Sequence, residues 1–395
     1  MYVYLSFRIL KSHPTLLPDT VLTIVQFLPF VCFASFLAGW YLSLGRRPRA
    51  NFAAPSYSLR HLWSWGIGLL IVGNAGLYSF SYSESSFATS SAYWYMLFQV
   101  GYAGIALWVA VLTIKRRIVE TTSRVIFAVL VYLLLAPTLL NARRGPVYTA
   151  IISAVFGYLL VRPSSLKLWK VIGMLGAAGL LMIVLVHARK HLGAGQSWQK
   201  AMQAATVDAM HEKRSTEVAD NEFVNHAVKV EANLETGMYQ YGTVHLAMLT
   251  HWIPRAIWPG KPQRSMGIYP AAMLHFKPGF YTNLGLGGAW GPVADSFDNY
   301  WYFCPIFWYF IGLGTVALYN RAVWRDQLNW KMHYLAVLMS SHWFFAQCAT
   351  EAIVPFMFYQ AAFWLAFHFS RTSDSAIRTQ RAVPRGTESL HARRS

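Results

Sequence analysis

Charged side chains are scarce in this chain, and their scarcity argues against an ordinary water-soluble domain. Only 13% of the 395 residues are Asp, Glu, Lys or Arg, whereas 55% are hydrophobic. A soluble domain is typically about 25% charged. The deficit indicates that lipid is the main solvent. The apolar runs are long and do not alternate with polar residues, so they predict transmembrane helices and not the strands of a membrane barrel.

Metal-binding and redox motifs are also lacking. The chain has 3 cysteines, and all lie within apolar runs typical of buried core: Cys32, Cys304 and Cys348. Their spacing fits neither a disulfide framework nor a zinc cluster. His187 and His191 have the i, i+4 spacing of helical metal ligands, but the two basic residues between them oppose a cation. A phosphate-binding glycine loop and a nucleophile elbow are absent too, so we expect neither a metal nor a cofactor.

Long apolar runs fill most of the remaining sequence. They cover residues 21–43, 62–80, 92–114, 125–141, 147–161, 171–187, 299–320, 332–350 and 355–370. A helix that crosses the hydrocarbon core needs roughly 20 residues, and the shorter runs suit helices that end against a polar cavity or a loop. The sequence therefore predicts an all-α, polytopic transmembrane bundle of about nine to eleven spans.

The basic residues of the short loops fall almost entirely on one side of this predicted bundle. The opposite short loops hold only Arg143 and Arg144. The positive-inside rule assigns the basic side to the cytoplasm, so the net charge of +18 reflects topology and not nucleic-acid binding. This orientation predicts an external N-terminus without a signal peptide and a cytoplasmic C-terminus.

Four regions follow from this topology. They are N-terminal transmembrane helices over 1–187, a large external loop with short helices over 188–298, C-terminal transmembrane helices over 299–370, and a tail over 371–395 that is predicted to be disordered. Within the loop, residues 197–236 lack Gly and Pro and predict one or two amphipathic helices. Gly, Pro and aromatic residues after position 237 predict turns and short helical pieces.

Two sets of external cations are candidates for binding an anion. Arg255 and Lys261 lie on a stretch that three prolines stiffen, and cations held in this way suit a diphosphate. An interfacial turn that anchors the loop to lipid head groups is the alternative. Arg143 and Arg144 lie between two spans, where arginines are costly if they face lipid. We therefore expect that pair to face a cavity or to bind an anion.

Carboxylates near the seventh predicted span are candidates for a general base. Asp295 and Asp298 follow a glycine-rich stretch at the mouth of that span, where neighbours can tune a carboxylate for proton transfer. Helix capping by either residue is the alternative. Glu222 and His251 are the other candidates for the base, and His251 lies four residues before Arg255.

The order of these features resembles that of bacterial oligosaccharide repeat-unit polymerases, the Wzy-type O-antigen and exopolysaccharide polymerases. The resemblance covers roughly residues 125–320. It rests on the turn Arg143-Arg144-Gly145 at the start of a span, on Glu222-Phe223 followed later by the IPRAIWPGKP stretch, and on GPVADSFDNYWYFCPIFWYFIGLG before and within the next span. Family members usually have more spans than the nine counted here, which leaves the N-terminal topology open.

The resemblance implies a glycosyltransferase of the membrane-embedded C type (GT-C-like). Such an enzyme transfers a growing glycan from undecaprenyl diphosphate to the next carrier-linked repeat unit at the periplasmic face of the bacterial inner membrane. The candidates for catalysis are then Asp295, His251 and Glu222, and the candidates for binding the diphosphate are Arg143, Arg144, Arg255, Lys261 and Arg264.

The expected partners are the carrier-linked donor and acceptor glycans, membrane lipids and a chain-length regulator. No nucleotide sugar, metal or nucleic acid is expected. An O-antigen ligase, which transfers the glycan to the lipid A core, is the nearest alternative. A polysaccharide flippase or exporter is an alternative of another class, although the chain lacks the paired halves that many transporters show.

Overall fold

The computed structural model of the chain describes eleven continuous stretches together with scattered positions between 173 and 192 and between 226 and 237. The continuous stretches are residues 19–45, 56–79, 90–114, 121–140, 144–162, 195–211, 239–250, 257–260, 291–325, 327–346 and 349–371. Nearly all of these residues are helical. An isolated antiparallel bridge joins Tyr57 to Arg371.

The described helices follow the chain in a simple order. They are α1 (Asp19–Ser43), α2 (Leu59–Ser79), α3 (Ser90–Ile114), α4 (Thr121–Leu140), α5 (Arg144–Val161), α6 (Trp198–His211), α7 (Thr243–Leu249), α8 (Pro292–Tyr300), α9 (Cys304–Arg325), α10 (Leu328–Ala346) and α11 (Ala349–Phe369). The predicted helical class is confirmed.

Several of these helices have the length and composition of membrane spans. Among the described residues, five stretches are long and apolar enough to cross a bilayer: Thr23–Ser43, Trp94–Ile114, Thr121–Leu140, Pro292–Arg325 and Ala352–Phe369. The helices α2, α5 and α10 overlap three further predicted spans. In the predicted span 171–187, the described residues, such as Leu180 and Leu185, are helical.

The larger core surrounds α3. Within the apolar window of α3, 72% of residues are buried, against 11% for α4. Residues of α2, α4, α5, α10 and α11 pack around it, and Phe98 and Tyr102 of α3 are fully enclosed. Close approach of α2 to α3 depends on small residues, because a Cβ placed on Gly73 would lie 2.5 Å from the Cα atom of Gly101. The low buried fraction of α4 leaves most of its surface for lipid.

The second core joins α1, α8 and α9. Near the start of α9, the Sγ atoms of Cys32 and Cys304 are 3.7 Å apart. Near its end, the Asn320 side chain donates a hydrogen bond of 2.6 Å to the Ser43 carbonyl. Residues later in α1 thus meet residues later in α9, which means that the two helices run parallel.

Helix ends that carry basic residues meet at one end of the bundle. The start of α2 joins the end of α11, where Ser58 donates its N–H to the carbonyl oxygen of Ser370. The end of α3, the start of α4 and the end of α5 line one cavity. The guanidinium of Arg321 on α9 lies 5.0 Å from the ring centre of Trp330 on α10. This basic end holds Arg60, Arg124, Arg162, Arg321, Arg325, Lys331 and Arg371. The start of α9, together with α8, lies at the opposite end.

The seventh predicted span, 299–320, differs from the structure at its start. The helix α8 ends at Tyr300, a 3-10 turn covers 301–303, and α9 begins at Cys304. Trp301 has a left-handed φ of 53°. In addition, Pro305 has no N–H to donate to the Trp301 carbonyl, so one backbone hydrogen bond is missing just after the turn. Both candidate carboxylates therefore lie on a separate short helix and not on the spanning helix itself.

Candidate active site

The short helix α8 carries an unusual amount of buried polar surface. Gly291, with a φ of 78°, precedes Pro292 at the start of the helix, where a missing N–H costs nothing. Four polar residues of α8 are buried: Asp295, Ser296, Asp298 and Asn299. Buried polar atoms need partners. Ser296 accepts a hydrogen bond of 2.9 Å from the Trp308 indole, which ties α8 to α9.

Asp298 is held by residues that precede α7 in the chain. Its Oδ2 atom lies 2.9 Å from the Nζ atom of Lys229. Its Oδ1 atom accepts a hydrogen bond of 3.0 Å from the Asn233 side chain. The carbonyl oxygen of Asp298 accepts the N–H of Gln240 at 2.8 Å. Because both carboxylate oxygens are already bonded, Asp298 fastens the segment around 229–240 to α8 and is poorly placed to take a proton from a substrate.

Asp295 lies in a different setting, facing α7. Its Oδ2 atom is 3.8 Å from Nε2 of His245, an ion-pair distance that is too long for a direct hydrogen bond. Nδ1 of His245 is 2.7 Å from the Tyr300 hydroxyl. The imidazole stacks against the rings of Tyr300 and Phe307, with centroid distances of 5.2 Å and 5.3 Å. These contacts bring a carboxylate, an imidazole and a phenol together at one buried point.

The geometry of this group suits proton transfer. With the imidazole proton on Nε2, facing Asp295, Nδ1 accepts a hydrogen bond from the Tyr300 hydroxyl. Asp295 lies in the first turn of α8, where the helix dipole stabilises a negative charge. The Asp295 side chain is 11% exposed, so it keeps a small opening to its surroundings. A carboxylate held in this way can receive a proton and become a neutral carboxylic acid beside His245.

Aromatic rings gather around Phe297 of α8 and the turn that follows the helix. Tyr239 lies edge-on to Phe297, with ring centres 5.7 Å apart, and 6.1 Å from the ring of Trp301. Burial raises the pKa of the Tyr239 hydroxyl above its ordinary value, so the phenol stays protonated and can donate a hydrogen bond at neutral pH. Tyr241 is 72% exposed. Flat exposed rings are suited to stacking on sugars.

Six of the other predicted site residues lie outside the described residues: Glu222, His251, Arg143, Arg255, Lys261 and Arg264. Arg144 is the first residue of α5. Among the candidates for a base, the structure therefore gives geometry for Asp295.

Neither carboxylate is the N-cap of α8, although Asp295 lies in its first turn, where the capping alternative expected an acidic residue. Gly291 occupies the N-cap position, and no side chain caps the helix there. Asp295 lies inside the first turn, and Asp298 lies two residues before the helix ends at Tyr300. The physical reason is that Gly291 and Pro292 start the helix earlier than the sequence analysis placed it.

Sequence analysis missed His245, Tyr300 and Lys229. It weighed His251, six residues after His245, because His251 lies near Arg255 in sequence. One signal was available: Lys229 and Asn233 are four residues apart in a stretch predicted to be helical, so both lie on one helix face. The contact of His245 with Asp295 spans 50 residues, and no local pattern marks it.

Comparison with known proteins adds no relative for this site. Within the described part of the chain, no group of three or more His, Cys, Asp or Glu side chains is arranged to hold a metal ion. No protein-family model, no curated protein and no solved structure matches the chain.

Proposed function

We propose that this chain is a membrane glycosyltransferase that polymerises oligosaccharide repeat units linked to undecaprenyl diphosphate. The reaction takes place at the α8 end of the bundle, which faces the periplasm, and the basic end faces the cytoplasm. The chain is then a multi-pass protein of the bacterial inner membrane, with a GT-C-like fold of nine or more spans. The product is an O-antigen or an exopolysaccharide.

The proposed reaction breaks the glycosyl phosphate bond of the donor and forms a glycosidic bond to the acceptor. A hydroxyl oxygen of the carrier-linked acceptor attacks the anomeric carbon of the donor glycan, and the bond from that carbon to the diphosphate oxygen breaks. The hydroxyl proton passes to Asp295, and undecaprenyl diphosphate leaves with the bonding electron pair. Arg143, Arg144, Arg255, Lys261 and Arg264 are the proposed cations that stabilise the leaving diphosphate.

The grouping of Asp295, His245 and Tyr300 carries this proposal. A transfer of this kind needs a base near the membrane surface. Asp295, on the short helix α8 before the spanning helix α9, is a buried carboxylate within 3.8 Å of an imidazole. The transfer also needs apolar surface for a lipid carrier, which α1 and α9 offer through exposed residues such as Phe30, Phe33, Ile306 and Phe310. Tyr239 and Tyr241 offer rings for sugar binding.

The test is an Asp295→Asn variant of the full-length protein, purified and supplied with a lipid-linked repeat unit. We expect the chemical step to fall roughly 10²- to 10⁴-fold, the usual contribution of a general base, with little change in substrate binding. Single-turnover rates and lipid-linked substrate binding are the measurements. Turnover near the native rate by Asp295→Asn would contradict the assignment of the base.

Asp298→Asn is the matched control, because it makes the same chemical change three residues later. It removes the charge that pairs with Lys229, so we expect lower thermal stability and a retained rate per folded molecule. A product attached to lipid A core would identify the ligase instead. Transport of intact lipid-linked units without any new glycosidic bond would identify a flippase.

A further inference from the structure

A cavity at the basic end has no role in the proposed reaction. Its volume is about 350 Å³, within the range of roughly 300–1,000 Å³ that is usual for small-molecule sites. Residues of three helices line it: Val109, Leu112, Thr113, Arg124, Tyr158 and Arg162. The cavity therefore combines an apolar wall from α3 with two guanidinium groups, one from α4 and one from just beyond α5.

The cations lie at the level where head groups of a bilayer begin. Arg124 is in the first turn of α4, and Arg162 directly follows the last residue of α5. Both are exposed. Val109 is five residues before the end of α3, which places it about 7.5 Å deeper along the helix axis. The cavity thus has a charged rim at Arg124 and Arg162 and an apolar floor at Val109. This depth matches the separation of a lipid head group from the first carbons of its acyl chain.

The charge of the rim selects the chemistry of the occupant. None of the described residues that line the cavity is acidic. Two guanidinium groups bind a phosphate with paired N–H donors, and the Tyr158 hydroxyl supplies a further donor. A zwitterionic head group would bring its own ammonium group close to both arginines, whereas an anionic head group has no such cation. An anionic phospholipid fits both the rim and the floor.

The surroundings of the cavity allow a lipid to enter sideways. The helix α4 forms one wall, and only 11% of its apolar window is buried, so most of its surface is open to the bilayer. Basic pockets between transmembrane helices on the cytoplasmic side are known to bind anionic head groups. We propose that the cavity between α3, α4 and α5 binds one anionic phospholipid, with its phosphate on Arg124 and Arg162 and an acyl chain along Val109 and Leu112.

Native mass spectrometry of the full-length protein tests this proposal. Protein in detergent is titrated with phosphatidylglycerol, and separately with phosphatidylcholine of the same acyl chains. We expect one tightly retained phosphatidylglycerol per chain and no matching retention of phosphatidylcholine. In the double variant Arg124→Ala/Arg162→Ala, the affinity for phosphatidylglycerol should fall roughly 30-fold, because each cation near an anionic lipid contributes a factor of roughly five.

Two further variants distinguish lipid binding in this cavity from nonspecific attraction to the positive charge at this end of the bundle. Arg60→Ala removes an exposed cation at the same end of the bundle, from α2, and should leave retention unchanged. Leu112→Trp fills the floor of the cavity and keeps both arginines, so it should also abolish retention. Native retention by the double variant or by Leu112→Trp, or equal retention of phosphatidylcholine, would overturn the proposal. Displacement of the lipid by inorganic phosphate at millimolar concentration would show a site for free anions instead.

Discussion

Asp295 and Asp298 are chemically identical residues on one short helix, and the structure gives them different tasks. Asp298 is bonded through both carboxylate oxygens to Lys229 and Asn233, which precede α7 in the chain. Asp295 faces the imidazole of His245 at 3.8 Å, an ion-pair distance at which its carboxylate is not hydrogen-bonded to the ring. Residues three apart lie on nearly the same face of a helix, so the two carboxylates differ in the groups that other segments place against them. Roles in this site therefore follow from partners and not from residue type.

The Lys229–Asp298 pair gives a prediction at the residue scale. Lys229→Met leaves a buried carboxylate without its cation, so we expect the free energy of unfolding to fall by about 3–5 kcal/mol. The double variant Lys229→Met/Asp298→Asn removes both charges and should recover much of that loss, because the new side-chain amide still has Asn233 as a hydrogen-bond partner. Thermal and denaturant unfolding in detergent measure both changes.

An exposed cation between α5 and α7 serves as the control. Lys200 on α6 is exposed, so Lys200→Met should change the free energy of unfolding by no more than about 0.5 kcal/mol. If Lys229→Met and Lys200→Met lower the free energy of unfolding equally, the Lys229–Asp298 pair does not fasten the segment around Lys229 to α8.

Among the helical elements, the parallel pair α1 and α9 depends on two glycines at its contact. A Cβ atom on Gly312 would collide with the backbone carbonyl of Phe36, and one on Gly39 would collide with the carbonyl of Tyr309. The hydrophobic effect does not drive helices together inside a bilayer, so close backbone packing supplies the attraction. Larger residues at these two positions would separate the helices along their whole length.

We therefore predict that Gly312→Leu destabilises the protein by about 1–3 kcal/mol or more, as overpacking of a tight contact usually does. The same helix offers a matched control two residues later. A Cβ on Gly314 meets nothing within 4 Å, so Gly314→Leu should be neutral or slightly stabilising through better helix propensity. Melting temperatures in one detergent compare the two variants. A larger loss for Gly314→Leu would contradict this account of the contact.

For the whole molecule, hydropathy predicted much of the helical architecture. Lipid cannot hydrogen-bond to the backbone, so a spanning segment must be a long apolar helix, and such runs are visible in sequence. The predicted span 92–114 and the observed α3, Ser90–Ile114, differ by two residues at one end. The start of the seventh span was placed less well, because Pro305 and the left-handed Trp301 interrupt an otherwise apolar run.

The candidate site was only partly predictable for a physical reason. Asp295 was found because a carboxylate beside a spanning helix is conspicuous against apolar neighbours. His245 was not found, because its contacts with Asp295 and Tyr300 depend on how residues 229–245 pack against α8. The interactions of Lys229 and Gln240 with Asp298 set that fold-back, and they join residues 58 or more positions apart.

The direction of α1 and α9 constrains the topology of the whole chain. Two parallel spanning helices must be separated by an odd number of crossings. If α2, α3, α4 and α5 each cross once, one more crossing is needed before α9. Residues 171–187 are the apolar run available for it, and their described positions are helical. The packing of α1 on α9 thus supports a span that hydropathy alone marks as short.

We predict that reporters fused at positions before and after this run lie on opposite sides of the membrane. A reporter placed after Arg162, Lys331 or Arg371 should be cytoplasmic, because those positions belong to the basic end. A reporter placed after Gln196, or within 200–240, should be external. Paired fusions to an enzyme active only outside the cytoplasm and to a fluorescent protein that folds only inside it give opposite signals at each site. Cytoplasmic signals on both sides of 171–187 would show that this run does not cross the membrane. Only four crossings would then separate α1 from α9, and the two helices could not span the membrane in the same direction.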